Sequence, residues 1–434
     1  MTIFDSEHGS PTPSSEHRSA QAGQGVMQLV MTSVLVIIAF TAGWFGNSYV
    51  NHNITATGDQ QTVLQAWNLI NQRYVNVSAI NQQKMAYAAI NAIVTTLGDT
   101  GHSRFETPEQ FAQETKELQS AQSSGIGVLL TGGGDQPLII EAVFPGSPAS
   151  KVNVKAGDII VAVNGTDIRG KTIDQVRPLI VGKDGTQVTL TLIRPSASAT
   201  ATFDVTITRG AYTFSTVDSY IIPGVNIAYI HINEFTQDAD NQLRDALKQA
   251  QDKHVAGIIL DLRDNPGGYL DQAQSVSSEF IAAGQGKNVL IEKTRDSQQA
   301  LPVKPGGLAT TTPLAILVNG DTASAAEITA GAININRPQV EVIGETTFGT
   351  GTILQTFQLN DGSALVLGTE EWLLPNGQSV YGKGYQPDQK VTLPSGVAPL
   401  QAIAAQQQNL SLAQIQQSGD TQLLAAINDL TGQK

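Results

Sequence analysis

The spacing of apolar positions changes character several times along the chain. Residues 1–25 are polar, rich in Ser, Gln, Gly and Pro, and read as a disordered tail. Residues 26–45 then form a 20-residue apolar run broken only by Gln28, Thr32, Ser33, Thr41 and Gly43, with no Lys, Arg, Asp or Glu from 19 to 58. At ~1.5 Å per residue such a helix spans ~30 Å, the thickness of a bilayer core. A cleaved signal peptide is the competing reading, but its apolar stretch is usually only ~7–15 residues. This run ends in Gly43-Trp44-Phe45, an aromatic interface anchor, so 26–47 is expected to be a transmembrane segment. Arg18 is the strong positive charge on its flank and favours an inside N-terminus, with the bulk of the chain outside the cytoplasm.

From 57 to 118 the apolar residues recur at helical spacing, as in Leu64, Trp67, Leu69, Ile70 and Tyr74, then Met85, Ala89, Ile90 and Ile93. Thr107-Pro108-Glu109-Gln110 reads as a helix start. Short strands between glycine turns follow at 126–130, 138–140, 158–163 and 188–192. From 226 onward strands at 226–231, 257–262 and 314–318 alternate with helices at 237–252, 270–283 and 323–334, the pattern of an α/β layer packing. The stretch 399–434 is Gln-rich, and Asp420 caps a last helix carrying Leu423, Leu424, Ile427 and Leu430.

Composition narrows the function classes. The 434 residues include 25 Lys plus Arg against 38 Asp plus Glu, a net charge of −13, which speaks against nucleic-acid binding. There is no cysteine, so disulfides, thiolate metal sites and cysteine nucleophiles are excluded. No His-Glu-x-x-His or other metal spacing occurs, and Gly132-Gly133-Gly134 does not open a helix after a strand. No metal or cofactor is expected.

Between 122 and 209, Gly125-Ile126-Gly127-Val128 is followed by Phe144-Pro145-Gly146-Ser147-Pro148-Ala149, Ala156-Gly157-Asp158-Ile159-Ile160 and Val163-Asn164-Gly165. This order resembles a PDZ domain. A glycine-flanked open strand edge can accept a peptide as an added strand, and its amides can take a carboxylate. Gly125, Ile126, Gly127 and Val128 are the expected peptide-binding residues, and the expected partners are proteins or peptides with free C-termini.

Two further segments carry chemistry. Asp261-Leu262-Arg263-Asp264-Asn265-Pro266-Gly267-Gly268 follows a buried strand, and its tight turn can aim amides at a ligand oxygen. Val318-Asn319-Gly320-Asp321-Thr322-Ala323-Ser324-Ala325-Ala326-Glu327 puts a serine at a strand-to-helix junction among small residues. In this order the chain resembles the C-terminal processing peptidases, tail-specific serine proteases, from about 57 to 432. The resemblance implies a β-rich PDZ-like module inserted before a mixed α/β protease core at 212–398, flanked by an N-terminal helical segment at 57–118 and a C-terminal one at 399–434. It also implies that Ser324 is the nucleophile, that Gly267 or Gly268 together with Ala325 supplies the oxyanion hole, and that the chain is a membrane-anchored extracytoplasmic endopeptidase.

One departure stands against the resemblance. The family base is a Lys in Thr-Phe-Gly-Lys-Gly, with a Gln four residues later; here the segment reads Thr347-Phe348-Gly349-Thr350-Gly351-Thr352-Ile353-Leu354-Gln355. Thr350 has no useful basicity at neutral pH. Three explanations stand open. His102, in Gly98-Asp99-Thr100-Gly101-His102-Ser103, occupies a turn that resembles the site of the catalytic histidine in the tricorn-type branch of the superfamily, with Glu371 as the acidic partner; this is the preferred base. Alternatively Lys383 reaches the serine. Or the protease is dead and the chain is a PDZ peptide-binding scaffold. His231 and His254 are expected to be structural, and Asp261, Arg263 and Asp264 to be turn and ion-pair residues.

Overall fold

Strands Ile227–Ile232, Gly257–Asp261 and Leu314–Val318 are buried at every position, which requires cover on both faces of their sheet. The computed structural model describes residues 58–99, 103–134, 136–195 and 201–432. The tail 1–25, the apolar segment 26–47 and His102 lie outside the described residues. Among the described residues no helix is long and apolar enough to cross a membrane.

The chain divides after Met85 into two units. The described part of the first holds helix Gly58–Arg73, a 3-10 turn at Val77–Ala79 and the start of helix Gln82–Thr95. The second unit contains everything that follows.

Its central sheet has six strands in the order Val217–Ile222, Ile227–Ile232, Gly257–Asp261, Leu314–Val318, Glu341–Gly344 and Gln389–Lys390. The first pair is antiparallel and the others parallel. Alternate side chains serve two cores. Ala228, Ile230 and Ile232 share one with residues of helices Ala239–Asp252, Leu270–Phe280 and Ala325–Asn336. Ile227 and Tyr229 share the other with Ala402–Gln408, Leu412–Gln417 and Thr421–Thr431. The Gln-rich C-terminal stretch is therefore one face of the core. It is pinned there by buried Arg263, whose guanidinium meets Asp261 Oδ2 at 2.7 Å and both Asp420 oxygens at 2.9 Å. Asp420 also accepts from Leu423 N at 2.9 Å and so caps the last helix. Removing one partner of such a buried pair typically costs about 3–5 kcal/mol.

A second sheet runs Arg104–Glu106, Ala364–Leu373, Asn288–Lys293, Gln298–Pro302, with Thr352–Gln358 also paired to Ala364–Leu373. The helical reading of 57–118 is corrected here. Arg104–Glu106 is a strand bonded to Ala364–Val366, followed by helix Pro108–Ser120 with Thr107 as its cap. A three-residue strand has no period of its own to read, and this one is defined by a partner some 260 residues away.

The β-rich module is a sheet in the order Val128–Gly132, Leu138–Val143, Ile159–Val163, Gln187–Arg194, Ala201–Thr208, with the short strand Thr166–Asp167 on Ile159–Val163 and helix Ile173–Ile180 beside it. Ile126, Ile140, Ile160, Val176, Leu190 and Leu192 are in its core. The chain enters along Gln122–Gly125 and leaves along Gly210–Thr213, and these two segments pair antiparallel as a neck. The first strand was expected at 126–130; it begins at Val128 because Ile126 turns into the core.

Candidate active site

Two loops from neighbouring parallel strands meet at the carboxyl end of the central sheet. After Gly257–Asp261, Asn265 is fully buried and fixes the turn: its Nδ2 donates to the Ile232 carbonyl at 2.6 Å and its Oδ1 accepts from Gly267 N at 2.8 Å. The Asn265 carbonyl accepts from Ala323 N at 2.9 Å, which joins this turn to the serine loop. Gly267 has φ 106°, and a Cβ there would lie 2.6 Å from Ser324 Cβ. Gly268 has φ 136°, and a Cβ there would lie 2.4 Å from the Phe235 carbonyl. Both positions need glycine for the turn to approach the serine.

After Leu314–Val318, Thr322 Oγ1 donates to the Leu262 carbonyl at 2.8 Å, and Ser324 precedes helix Ala325–Asn336. Ser324 sits at φ 53°, ψ −119°, a conformation costing about 1–3 kcal/mol for a residue with a side chain. Its half-buried side chain is thereby raised at a helix N-terminus. Ala325, the first helical residue, has no intrahelical acceptor for its N–H.

Glu327, fully buried one turn along, organises the surroundings. Its carboxylate accepts from Ser324 N at 3.1 Å, Gly349 N at 2.8 Å and Thr350 N at 2.8 Å, and also from the Thr347 hydroxyl. Its role escaped the sequence reading, although Ser324-x-x-Glu327 is a capping-box spacing. Thr350 is buried, and its Oγ1 accepts from Ser324 N at 3.0 Å, so the position where the pattern calls for a lysine is directed at the serine.

The other expected site residues are distributed as follows. The Gly267 N–H is bonded to Asn265 Oδ1 at 2.8 Å, whereas Gly268 and Ala325 line the cavity beside Ser324. Glu371 lies directly across the ladder from Thr352 and is ion-paired with Lys293 Nζ at 2.7 Å, which holds its carboxyl below the usual range. Lys383 is exposed on the turn packed behind Gly349. His231 is buried with Nε2 at 3.1 Å from the Arg263 carbonyl, and His254 is a turn residue at φ 48° whose carbonyl accepts from Asn226. Asp264 is bonded by Asn319 Nδ2 at 2.6 Å.

Beside Ser324 opens a cavity of ≈ 520 Å³ whose lining includes Gly268, Ala325, Leu270, Ile328, Ile353 and Trp372. Thr352, Ile353 and Leu354 all line it, next to a register shift that leaves Thr369 of Ala364–Leu373 as the extra residue. Gln355, like the three residues after it, is exposed and does not line the cavity.

In the β-rich module, Val128–Gly132 is an edge strand. Gly127, at φ 73°, is packed so tightly on Ser147 that a Cβ would lie 2.2 Å from Ser147 Cβ. The Ile126 and Gly127 carbonyls accept from Ala149 and Phe144, whereas neither residue's own N–H has an acceptor among the described residues. Gly125 belongs to the neck, paired with Gly210, rather than to the open edge.

Sequence comparisons agree with this anatomy. Residues 226–391 match peptidase family S41, and 139–194 match the PDZ domain family. The carboxy-terminal processing protease CtpA of Bacillus subtilis is 32% identical over 372 residues, covering 84% of this chain and 77% of that protein. A probable CtpA-like serine protease of Staphylococcus aureus is 33% identical over 370 residues, covering 84% of this chain and 71% of its own length. A putative S41 protease from Bacteroides fragilis shares the fold, with a TM-score of 0.57 at 20% identity over 85% of this chain and 97% of that one. The chain belongs to peptidase family S41, as a PDZ-containing relative of the carboxy-terminal processing proteases.

Proposed function

We propose that this chain is a serine endopeptidase that holds the C-terminal tail of a protein on the Val128–Gly132 edge and cleaves upstream through an acyl-enzyme at Ser324. The observation that carries this reading is Ser324 itself, kept in a costly backbone conformation at a helix N-terminus, with the N–H groups of Gly268 and Ala325 beside it. The serine hydroxyl attacks the carbonyl carbon, its proton passes to a base, and the carbonyl oxygen becomes an oxyanion held by those two amides. The base then protonates the leaving amine, and water releases the acyl group by the same steps.

His102 is the proposed base. Ser103, next to it, accepts from Gly368 N through its Oγ at 3.0 Å and donates its own N–H to Asp99 Oδ2 at 3.1 Å. A Cβ on Gly368 would lie 3.2 Å from Thr352, which lines the Ser324 cavity. Glu371, opposite Thr352, is then the acidic neighbour. The segment 26–47 anchors the enzyme, which acts outside the cytoplasm.

A second reading is favoured by Thr350: among the described residues no basic side chain hydrogen-bonds Ser324, so the chain would be an inactive peptide-binding scaffold. A fluorophosphonate acyl-serine probe separates the two. In the first reading the wild type labels, and Ser324→Ala and His102→Ala lose labelling by at least a hundredfold while remaining folded. In the second, the wild type stays unlabelled and Thr350→Lys gains labelling. Wild-type labelling that survives Ser324→Ala refutes both.

A further inference from the structure

We infer that the Ser324 site selects polypeptides with a large apolar side chain on the residue whose carbonyl is attacked, and that Leu354 is a determinant of that choice. This deepens the acyl-transfer reading and rests on it for the pose of the substrate.

The cavity has Ser324, Ala325 and Gly268 in its lining. A carbonyl carbon within bonding reach of Ser324, its oxygen directed at those two amides, carries its α-carbon substituent as the nearest group able to enter the cavity. The walls it meets are mostly hydrocarbon, from Leu270, Leu301, Ile328, Ile353, Leu354 and the ring of buried Trp372, with the Thr352 hydroxyl and Trp372 Nε1 as buried polar atoms that have no partner among the described residues. Of the charged and amide members, Gln274 Nε2 is committed to the Pro302 carbonyl at 2.8 Å, and Asp271 is exposed in the first turn of its helix; neutral Tyr269 and Thr352 complete the polar lining beside Ser324. A carboxylate or ammonium drawn into these walls would lose its hydration for contact with alkyl groups. Each methylene buried instead contributes about 0.8 kcal/mol, roughly fourfold in binding.

Leu354 bears on this because it lines the cavity, beside Thr352 and Ile353. The C-terminal processing pattern carries a Gln at this position, which would put a carboxamide into the same surface. The change that accompanies the loss of the lysine therefore also converts a polar stretch of wall to hydrocarbon.

The test uses full-length protein and acetyl-capped tetrapeptide aldehydes ending in Leu, Phe, Ala, Asp or Lys, which lack the carboxylate that the β-rich module would capture. Affinities are read by calorimetry and by tryptophan fluorescence, to which Trp372 in the cavity wall contributes. The Leu and Phe aldehydes are expected to bind at least tenfold tighter than those ending in Ala, Asp or Lys, and Leu354→Gln to narrow the Leu-to-Ala ratio at least threefold. The matched peptide amides, which form no hemiacetal, are expected to keep the same ranking on Ser324→Ala. Equal affinities throughout, or tightest binding of the Lys peptide through Asp271, would overturn the inference. An unchanged ratio in folded Leu354→Gln would remove that residue from it. Ranking without a covalent adduct would count against acyl chemistry and uphold the pocket; an adduct without ranking would do the reverse.

Discussion

Replacing Glu327 by Gln exchanges one acceptor oxygen for an NH₂ donor among groups that all donate. Ser324 N, Gly349 N, Thr350 N and the Thr347 hydroxyl converge on the two oxygens, so no orientation of a carboxamide satisfies them all. Charge-assisted hydrogen bonds of this kind contribute about 1.5–3 kcal/mol each, and unsatisfied buried donors cost similar amounts. Glu327→Gln is expected to lower stability by about 2–4 kcal/mol in denaturant melts. It should also reduce acyl-probe labelling of Ser324 at least tenfold under conditions where circular dichroism shows a folded protein. Unchanged stability and labelling would mean that the carboxylate only fills space. Residue by residue, what the sequence made legible was local chemistry. Asn-Pro-Gly-Gly announces a turn, and a serine among alanines after an apolar strand announces a helix start. The depth of Thr350, the commitment of the Gly267 N–H to Asn265 and the presence of Leu354 in the cavity wall depend on contacts between distant segments, and no local pattern encodes them.

At the scale of elements, the Val128–Gly132 edge and the turn before it combine two recognition devices: a strand edge able to accept another strand, and two successive N–H groups without acceptors among the described residues. Peptides with a free C-terminal carboxylate should bind more tightly than their amides by ~1–3 kcal/mol, the strength of a charge-assisted hydrogen bond. Gly127→Val should abolish the difference, because its Cβ would overlap Ser147. Fluorescence anisotropy with labelled peptide pairs measures both. Equal binding of acid and amide would take tail recognition out of the mechanism. The strands of the central sheet were legible to within one or two residues at most ends because they are buried on both faces and read as unbroken apolar runs. Arg104–Glu106 was not, and its assignment matters, since it carries Ser103 to the strand Ala364–Leu373, where Ser103 Oγ accepts from Gly368 N.

For the whole molecule, the β-rich module and the C-terminal helices share an interface with its own titration. Glu141, 9% exposed, lies against the Gln401 N–H, and Gln407 and Gln408 bond the same strand at Val143 and Glu141. Burial is the main cause that pushes its carboxyl up to about 7; the Asp264 and Asp420 charges add to this, while the Gln401 N–H and Arg263 act in the opposite direction. The unfolded chain loses this proton near its ordinary value of 4.5 and the folded chain only near 7, so folding is favoured below that interval and loses stability across it as pH rises. A difference of this size corresponds to about 3 kcal/mol. Thermal melts should show stability falling between about pH 5 and pH 8, and Glu141→Gln should flatten that fall. An identical slope in the variant would assign the effect elsewhere, for instance to Glu234, which burial, with the nearby Glu117 and Glu114, likewise raises to about 7. The neck made by Gln122–Gly125 and Gly210–Thr213 has a different bearing on the molecule. Because the chain departs and returns at paired residues, the peptidase core presents the same two ends whatever is suspended between Gly125 and Gly210. The choice of tail is thus a cassette: another binding module spliced between those two glycines would readdress the enzyme to new proteins while leaving Ser324 and its amides as they are.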